Sequence, residues 1–126
     1  RARTRKVAAV AQDIPPTTIR GDQAGDLLVM GWGSTYGSIS AGVDEVRARG
    51  KKVSQVHLRY LNPLPPDLGE ILRRFKTILV PEMNMGQLLT ILRATYLVDA
   101  VGMNKIQGQP FKVSEIAAKI LRLLEG

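Results

Sequence analysis

The chain contains no cysteine and a single histidine, His57, among its 126 residues. Disulfides, thiolate zinc sites, cysteine-ligated iron–sulfur clusters and multi-histidine metal sites are therefore excluded within it. No apolar run is long enough to cross a bilayer, and no signal-peptide pattern opens the sequence. A cytoplasmic location with no membrane partner is expected. Aromatic residues make up only 5% and do not interleave with basic ones, so a base-stacking platform is missing. The net charge is +7, but Arg1, Arg3, Arg5 and Lys6 carry more than half of it. The remainder is the ordinary mixture of a solvated surface, and no nucleic-acid partner is expected.

What is present is 44% hydrophobic residues, enough for one domain with a single core. Residues 1–25 show little periodicity, and Pro15-Pro16, Gly21 and Gly25 mark them as a linker or crossing segment from an upstream domain. The sequence opens at Arg1 rather than Met, as expected for a fragment of a longer protein. Residues 26–126 read as the folded unit. Asp26 to Trp32 is an apolar run without alternation, the pattern of a strand buried on both faces. Ile39, Val43 and Val46 then recur at helical spacing, and Gly50 supplies a C-terminal stop. In the strand Val53 to Tyr60, Val56 and Leu58 face opposite to Gln55, His57 and Arg59.

Pro63, Pro65 and Pro66 end that strand and open a helix whose buried face is Leu68, Ile71, Leu72 and Phe75. Thr77 to Val80 is a third strand and Gly86 to Tyr96 a third helix, with Asn84 as its N-cap. A fourth strand is expected from Leu97 to about Val101. A last helix begins near Ser114, with Ile116, Ile120, Leu123 and Leu124 aligned. Strands alternating with helices at this spacing predict an α/β fold, with helices on both faces of a mostly parallel sheet.

Two strand-to-helix turns on one sheet edge carry the candidate site. Gly31-Trp32-Gly33-Ser34-Thr35 offers backbone N–H groups that could meet an anion, with Gly33, Ser34 and Thr35 as the residues of interest. It is neither a Walker A loop nor a dinucleotide fingerprint, since Tyr36 stands where the third glycine belongs. The plain alternative is a tight turn capped by Ser34 or Thr35. In the second turn, Glu82, Asn84 and Gln87 could hydrogen-bond a ligand or a neighbouring subunit, or form a capped helix start with a solvated Glu82. Lys105 could meet an anion or stand exposed. His57 has no Gly-x-Ser-x-Gly nucleophile elbow to serve and reads as structural. Trp32, Tyr36, Met83 and Met85 are candidate interface residues, being aromatic or methionine. No catalytic or metal-ligating set is found.

In order, Gly31 to Thr35, Leu61-Asn62-Pro63-Leu64-Pro65, Pro81 to Leu88, and Lys105 to Phe111 followed by Glu115-Ile116 resemble a known family. They are similar to the C-terminal part of the α subunit of 2-oxoacid:ferredoxin oxidoreductases, most of all those acting on 2-oxoglutarate. The resemblance implies a transketolase C-terminal-domain-like, three-layer α/β/α fold on about five strands. A fifth strand would come from Val7–Val10 or Asn104–Gln107. It further implies an enzyme that converts 2-oxoglutarate and CoA to succinyl-CoA and CO2 and passes electrons to ferredoxin. Thiamine diphosphate, a divalent metal and an iron–sulfur cluster would belong to the upstream α-subunit domain and a β subunit. The Gly-Asp-Gly pattern for thiamine diphosphate is missing here, because Gln23 follows Gly21-Asp22. The implied role is therefore structural, with no cofactor in this chain. The competing expectation is a free-standing anion- or nucleotide-binding α/β module using the Gly33–Thr35 turn.

Overall fold

The computed structural model describes residues 16–59, 61, 64–83, 87–105 and 109–125, with the backbone alone for Lys105. Strand β1 spans Gly25–Trp32 and runs through a 3-10 turn, Gly33–Thr35, into helix α1, Tyr36–Ala48. Strand β2 is Ser54–Leu58, helix α2 Leu68–Leu72, and strand β3 Phe75–Met83. Helix α3 is Gln87–Tyr96, strand β4 Ala100–Lys105 and helix α4 Val113–Glu125.

All four strands pair in parallel, in the order β2-β1-β3-β4. Alternate residues of β1, β3 and β4 feed two cores, and β2 feeds one of them. Leu28, Met30, Val56, Leu58, Ile78 and Val80 meet Leu68 and Leu72 of α2 and Leu88 and Leu92 of α3 on one face. Leu27, Val29 and Leu79 meet Ile39, Val43 and Val46 of α1 and Ile116 and Ile120 of α4 on the other. The result is the expected α/β/α sandwich, and the apolar runs of β1 and β3 follow from having a helical layer on both sides.

The expected fifth strand is not among the described residues. Among the described residues a short antiparallel contact is made by Arg20, whose N–H and C=O exchange hydrogen bonds with Gln55 of β2. Asn104 belongs to β4, and Val7–Val10 lie outside the described residues. Around Arg20 the chain is tied down by polar contacts. Thr17 donates from its backbone and hydroxyl to the Asp67 carboxylate (2.9 and 2.6 Å), and the Arg20 guanidinium bonds Gln55 Oε1 and Asp44.

Helix α2 is shorter than its apolar spacing suggests. Phe75, expected as its last buried residue, begins β3, and Arg73-Arg74 make the turn between them. β3 continues past Val80 through Pro81 to Met83. Pro81 is tolerated because the β1 register stops at Leu79, so its missing N–H withdraws no bond from β1. β4 begins at Ala100, three residues later than expected. Leu97 instead closes α3 in the left-handed region at φ 55° and is 87% exposed. Helix α4 starts at Val113, where the Lys112 N–H donates to the Glu115 carboxylate, one half of a capping box. Gly50, after α1, has φ 84° and is the expected stop.

Candidate functional site

In an open parallel sheet the chain reverses its winding where successive helices leave to opposite faces, and the crevice there, at the carboxyl ends of two strands, is the usual ligand site. Here α1 follows β1 onto one face, while α3 follows β3 onto the other. β1 and β3 are neighbours, so the crevice lies between their ends, at Trp32 and Glu82.

That crevice is filled by the protein itself. Glu82 is only 1% exposed, at the end of a strand whose alternation turns its side chain toward α3. Its carboxylate accepts the Leu88 N–H at 2.6 Å and the Leu89 N–H at 3.1 Å, both in the first turn of α3. It also accepts the Trp32 indole N–H at 2.9 Å. An α-helix starts with unsatisfied N–H groups that attract anions. Glu82 supplies that anion from within the chain. The expectation of a solvated Glu82 is corrected, since its three donors offset the loss of hydration. Asn84, expected as N-cap, and Met85 lie outside the described residues.

The Gly33 turn is structural in its details. Gly33 sits at φ 67°, a conformation costly for a side chain with a Cβ. Neither Ser34 nor Thr35 caps the helix that follows. Thr35 is buried and donates its hydroxyl to the Trp32 carbonyl at 2.9 Å, while Ser34 is exposed. The start of α1 is held instead by Ser38, whose hydroxyl donates to the Phe111 carbonyl at 2.7 Å.

The other sequence-predicted residues spread along the same edge. Tyr36 is 49% exposed and meets the His57 ring edge-on, with centroids 5.0 Å apart. His57 is half-buried. Its Nδ1 is enclosed and has no hydrogen-bond partner among the described residues. Burial lowers the His57 pKa from 6.5, and a hydrogen bond to the Gly33 backbone acts in the opposite direction. Met83 is half-buried, Gln87 exposed, and Lys105 lies opposite Met83 in the sheet register. The structure thus joins Trp32 to Glu82 directly and leaves Ser34, Tyr36 and Gln87 outward. Sequence reasoning placed Trp32 and Glu82 in separate groups. Their pairing has no local signal, because they stand fifty residues apart.

A cleft of about 610 Å³ lies at the opposite edge of the sheet, lined by Asp26, Arg49, Lys51, Lys52, Leu121 and Leu124 among others. Its lysines and arginine are exposed.

Residues 25–116 match the family described as pyruvate:ferredoxin oxidoreductase core domain II. The chain belongs to this family. It is 48% identical over 107 residues to the 2-oxoglutarate oxidoreductase subunit KorA of Mycobacterium tuberculosis, covering 83% of this chain and 16% of that one. It is 30% identical over 129 residues to the α subunit of 2-oxoacid:ferredoxin oxidoreductase 2 of Aeropyrum pernix, covering 98% of this chain and 20% of the relative. Among solved structures, the 2-oxoglutarate:ferredoxin oxidoreductase of Magnetococcus marinus, with 2-oxoglutarate, coenzyme A and succinyl-CoA bound, superimposes with a TM-score of 0.87 and 26% identity. That match covers 97% of this chain and 22% of the other. A split-gene transketolase, an inactive β4 tetramer, shares the fold alone, at TM-score 0.68 and 16% identity over 90% of this chain and 44% of that one. This core domain II chain therefore spans about a fifth or less of the length of the oxidoreductase subunits it matches.

Among the described residues of this domain, no three His, Cys, Asp or Glu side chains stand together as metal ligands, and no helix is long and apolar enough to cross a membrane. The residues at the crevice do not fit thiamine diphosphate. A diphosphate needs free donors, and the Leu88 and Leu89 N–H groups of α3 are already held by a carboxylate of the same charge sign. An iron–sulfur cluster has no cysteine to hold it.

Proposed function

We propose that this chain is the C-terminal structural domain of the α subunit of a 2-oxoacid:ferredoxin oxidoreductase acting on 2-oxoglutarate. In that enzyme 2-oxoglutarate and CoA become succinyl-CoA and CO2, and two electrons pass to ferredoxin. The observation that carries the reading is the 48% identity to KorA across 83% of the chain. The self-filled crevice supports a scaffolding role rather than a catalytic one, since the position where an open α/β sheet takes its ligand is occupied by Glu82.

On this reading residues 1–25 connect to an upstream α-subunit domain and residues 26–126 form the domain proper. Thiamine diphosphate, its divalent metal and the iron–sulfur cluster reside on that upstream domain and a β subunit, and the complex works in the cytoplasm. Gly33, Ser34, Thr35, Gln87 and Lys105 supply polar groups at the edge facing the rest of the enzyme, where CoA or a neighbouring subunit passes. The rival reading, a free-standing anion-binding module at the Gly33 turn, has no side-chain cap in its favour among the described residues.

The test is co-purification of the protein bearing this sequence from its host, followed by intact-mass measurement. The expected outcome is a species well above 13.8 kDa accompanied by a cysteine-containing subunit. A lone 13.8 kDa protein that binds a nucleotide or phosphate contradicts the proposal.

A further inference from the structure

A helix start is capped at low cost by an exposed Ser, Thr, Asp or Asn beside it. Burying a carboxylate is expensive unless every lone pair is used. Here the buried carboxylate comes from within β3 and engages two elements together, α3 through Leu88 and Leu89, and β1 through Trp32. What this arrangement achieves beyond a plain cap is the fixed orientation of the Trp32 ring.

Trp32 is the single tryptophan of the chain and is half-buried at the carboxyl edge of the sheet. A large aromatic ring packed against the core on the α3 face and aimed by one directed hydrogen bond loses little further freedom on contact, which is the property of interface anchors. At the same edge stands Tyr36, one of the exposed large apolar side chains. The opposite edge differs in character. There the turns into β2 and β3 carry Arg49, Lys51, Lys52, Arg73, Arg74 and Lys76, all exposed. Lysine is depleted from interface cores, and aromatic residues are enriched. The occupant follows from length, since this chain matches 16% of KorA and 22% of the solved oxidoreductase chain, and most of such a subunit lies outside it.

We propose that Glu82 is a positioning residue that acts through Trp32, presenting it with Tyr36 as a rigid aromatic anchor against the remainder of the α subunit. This inference rests on the oxidoreductase reading above.

Two measurements test it. In the 126-residue chain, the single indole N–H gives one resolved NMR signal, and its hydrogen exchange is expected to be at least tenfold slower than in Glu82→Gln, with β1 amides unchanged. Equal exchange in the two proteins overturns the positioning role. The second measurement is hydroxyl-radical footprinting by mass spectrometry of this chain and of the assembled oxidoreductase containing it. Trp32 and Tyr36 are expected to be oxidised at least fivefold more slowly in the assembly, with Leu97 little changed. Equal oxidation of Trp32 and Tyr36 in an active enzyme, or shielding at Leu97 instead, overturns the inference while the enzyme reading stands. An assembly that lacks 2-oxoacid-dependent activity overturns the enzyme reading and this inference with it. Should Glu82→Gln fail to fold, Trp32→Phe removes the indole N–H together with the pyrrole ring that carries it. Shielding of Tyr36 is then expected to fall at least threefold, and unchanged shielding counts against the proposal.

Discussion

Replacing Glu82 by alanine removes the carboxylate that three N–H donors share. The Leu88 amide and the Trp32 indole lose their acceptor, and the first turn of α3 loses its cap. Losing a helix cap costs about 1–2 kcal/mol, and stranding a buried donor about 1–3 kcal/mol. These terms overlap, and water entering the vacated space restores part of the hydration, so the expected loss is about 3–4 kcal/mol. Unfolding entropy scales with length and is about 0.26 kcal/mol/K for a chain of this size, which makes the fall in Tm about 13 °C. Urea unfolding followed by circular dichroism measures the first figure and a thermal scan the second.

The vacated pocket also has a specific ligand. Formate has the shape of the lost carboxylate, and the freed N–H groups of α3 form an anion site. Formate at tenfold its dissociation constant returns about 1.4 kcal/mol to Glu82→Ala by mass action, and the parent gains nothing comparable. A cost under about 1 kcal/mol, or formate that stabilises the variant no more than chloride does, refutes the capping role of Glu82.

Three further outcomes follow from other parts of the fold. A Cβ on Gly42 would lie 2.6 Å from Ile116 Cγ2 and 2.8 Å from its Cβ, and a β-branched side chain cannot swing away, so α1 and α4 must separate. Gly42→Ala is expected to cost about 2 kcal/mol in denaturant unfolding despite alanine's helix propensity, and a variant as stable as the parent contradicts this. Leu97→Gly relieves the left-handed backbone of an exposed leucine and is expected to stabilise by about 1 kcal/mol in the same assay, with a loss of stability as the contrary result. His57 titrates below 6.5 in the folded chain because of burial, so the unfolded state binds more protons between the two values. Its contribution is fully present above pH 6.5 and is lost as pH falls through the folded value. His57→Gln is expected to flatten that part of the stability profile in urea unfolding, and parallel profiles for the two proteins refute the assignment.

How much of this was legible depended on whether the cause was local. β1 reads from its sequence because a strand covered on both faces is an unbroken apolar run, and α1 because Ile39, Val43 and Val46 keep helical spacing against charged neighbours. The boundary between α2 and β3 does not. Leu68, Ile71, Leu72 and Phe75 continue a helical pattern that the chain abandons once Phe75 pairs with Gly25 in the sheet. The start of β4 was misplaced because Leu97 is apolar yet points into solvent. At the candidate site, the two turns point to the edge where Trp32 and Glu82 meet. The chemistry at its centre was not legible. A lone glutamate at a strand end reads as solvated, and only the parallel pairing of β1 with β3 brings Trp32 within reach of it. Likewise, the antiparallel contact of Arg20 with Gln55 sits in a segment whose composition reads as linker.

In the proposed role this domain shapes an oxidoreductase without itself carrying the reaction. The most direct test is the formation of succinyl-CoA, read by mass spectrometry, from 2-oxoglutarate, CoA and an oxidised viologen acceptor. It is run on the assembled enzyme containing this sequence and on the 126-residue chain alone. Turnover by the assembly and none by the chain is expected. Turnover by the isolated chain, or an assembly that forms no succinyl-CoA, would contradict the proposed role.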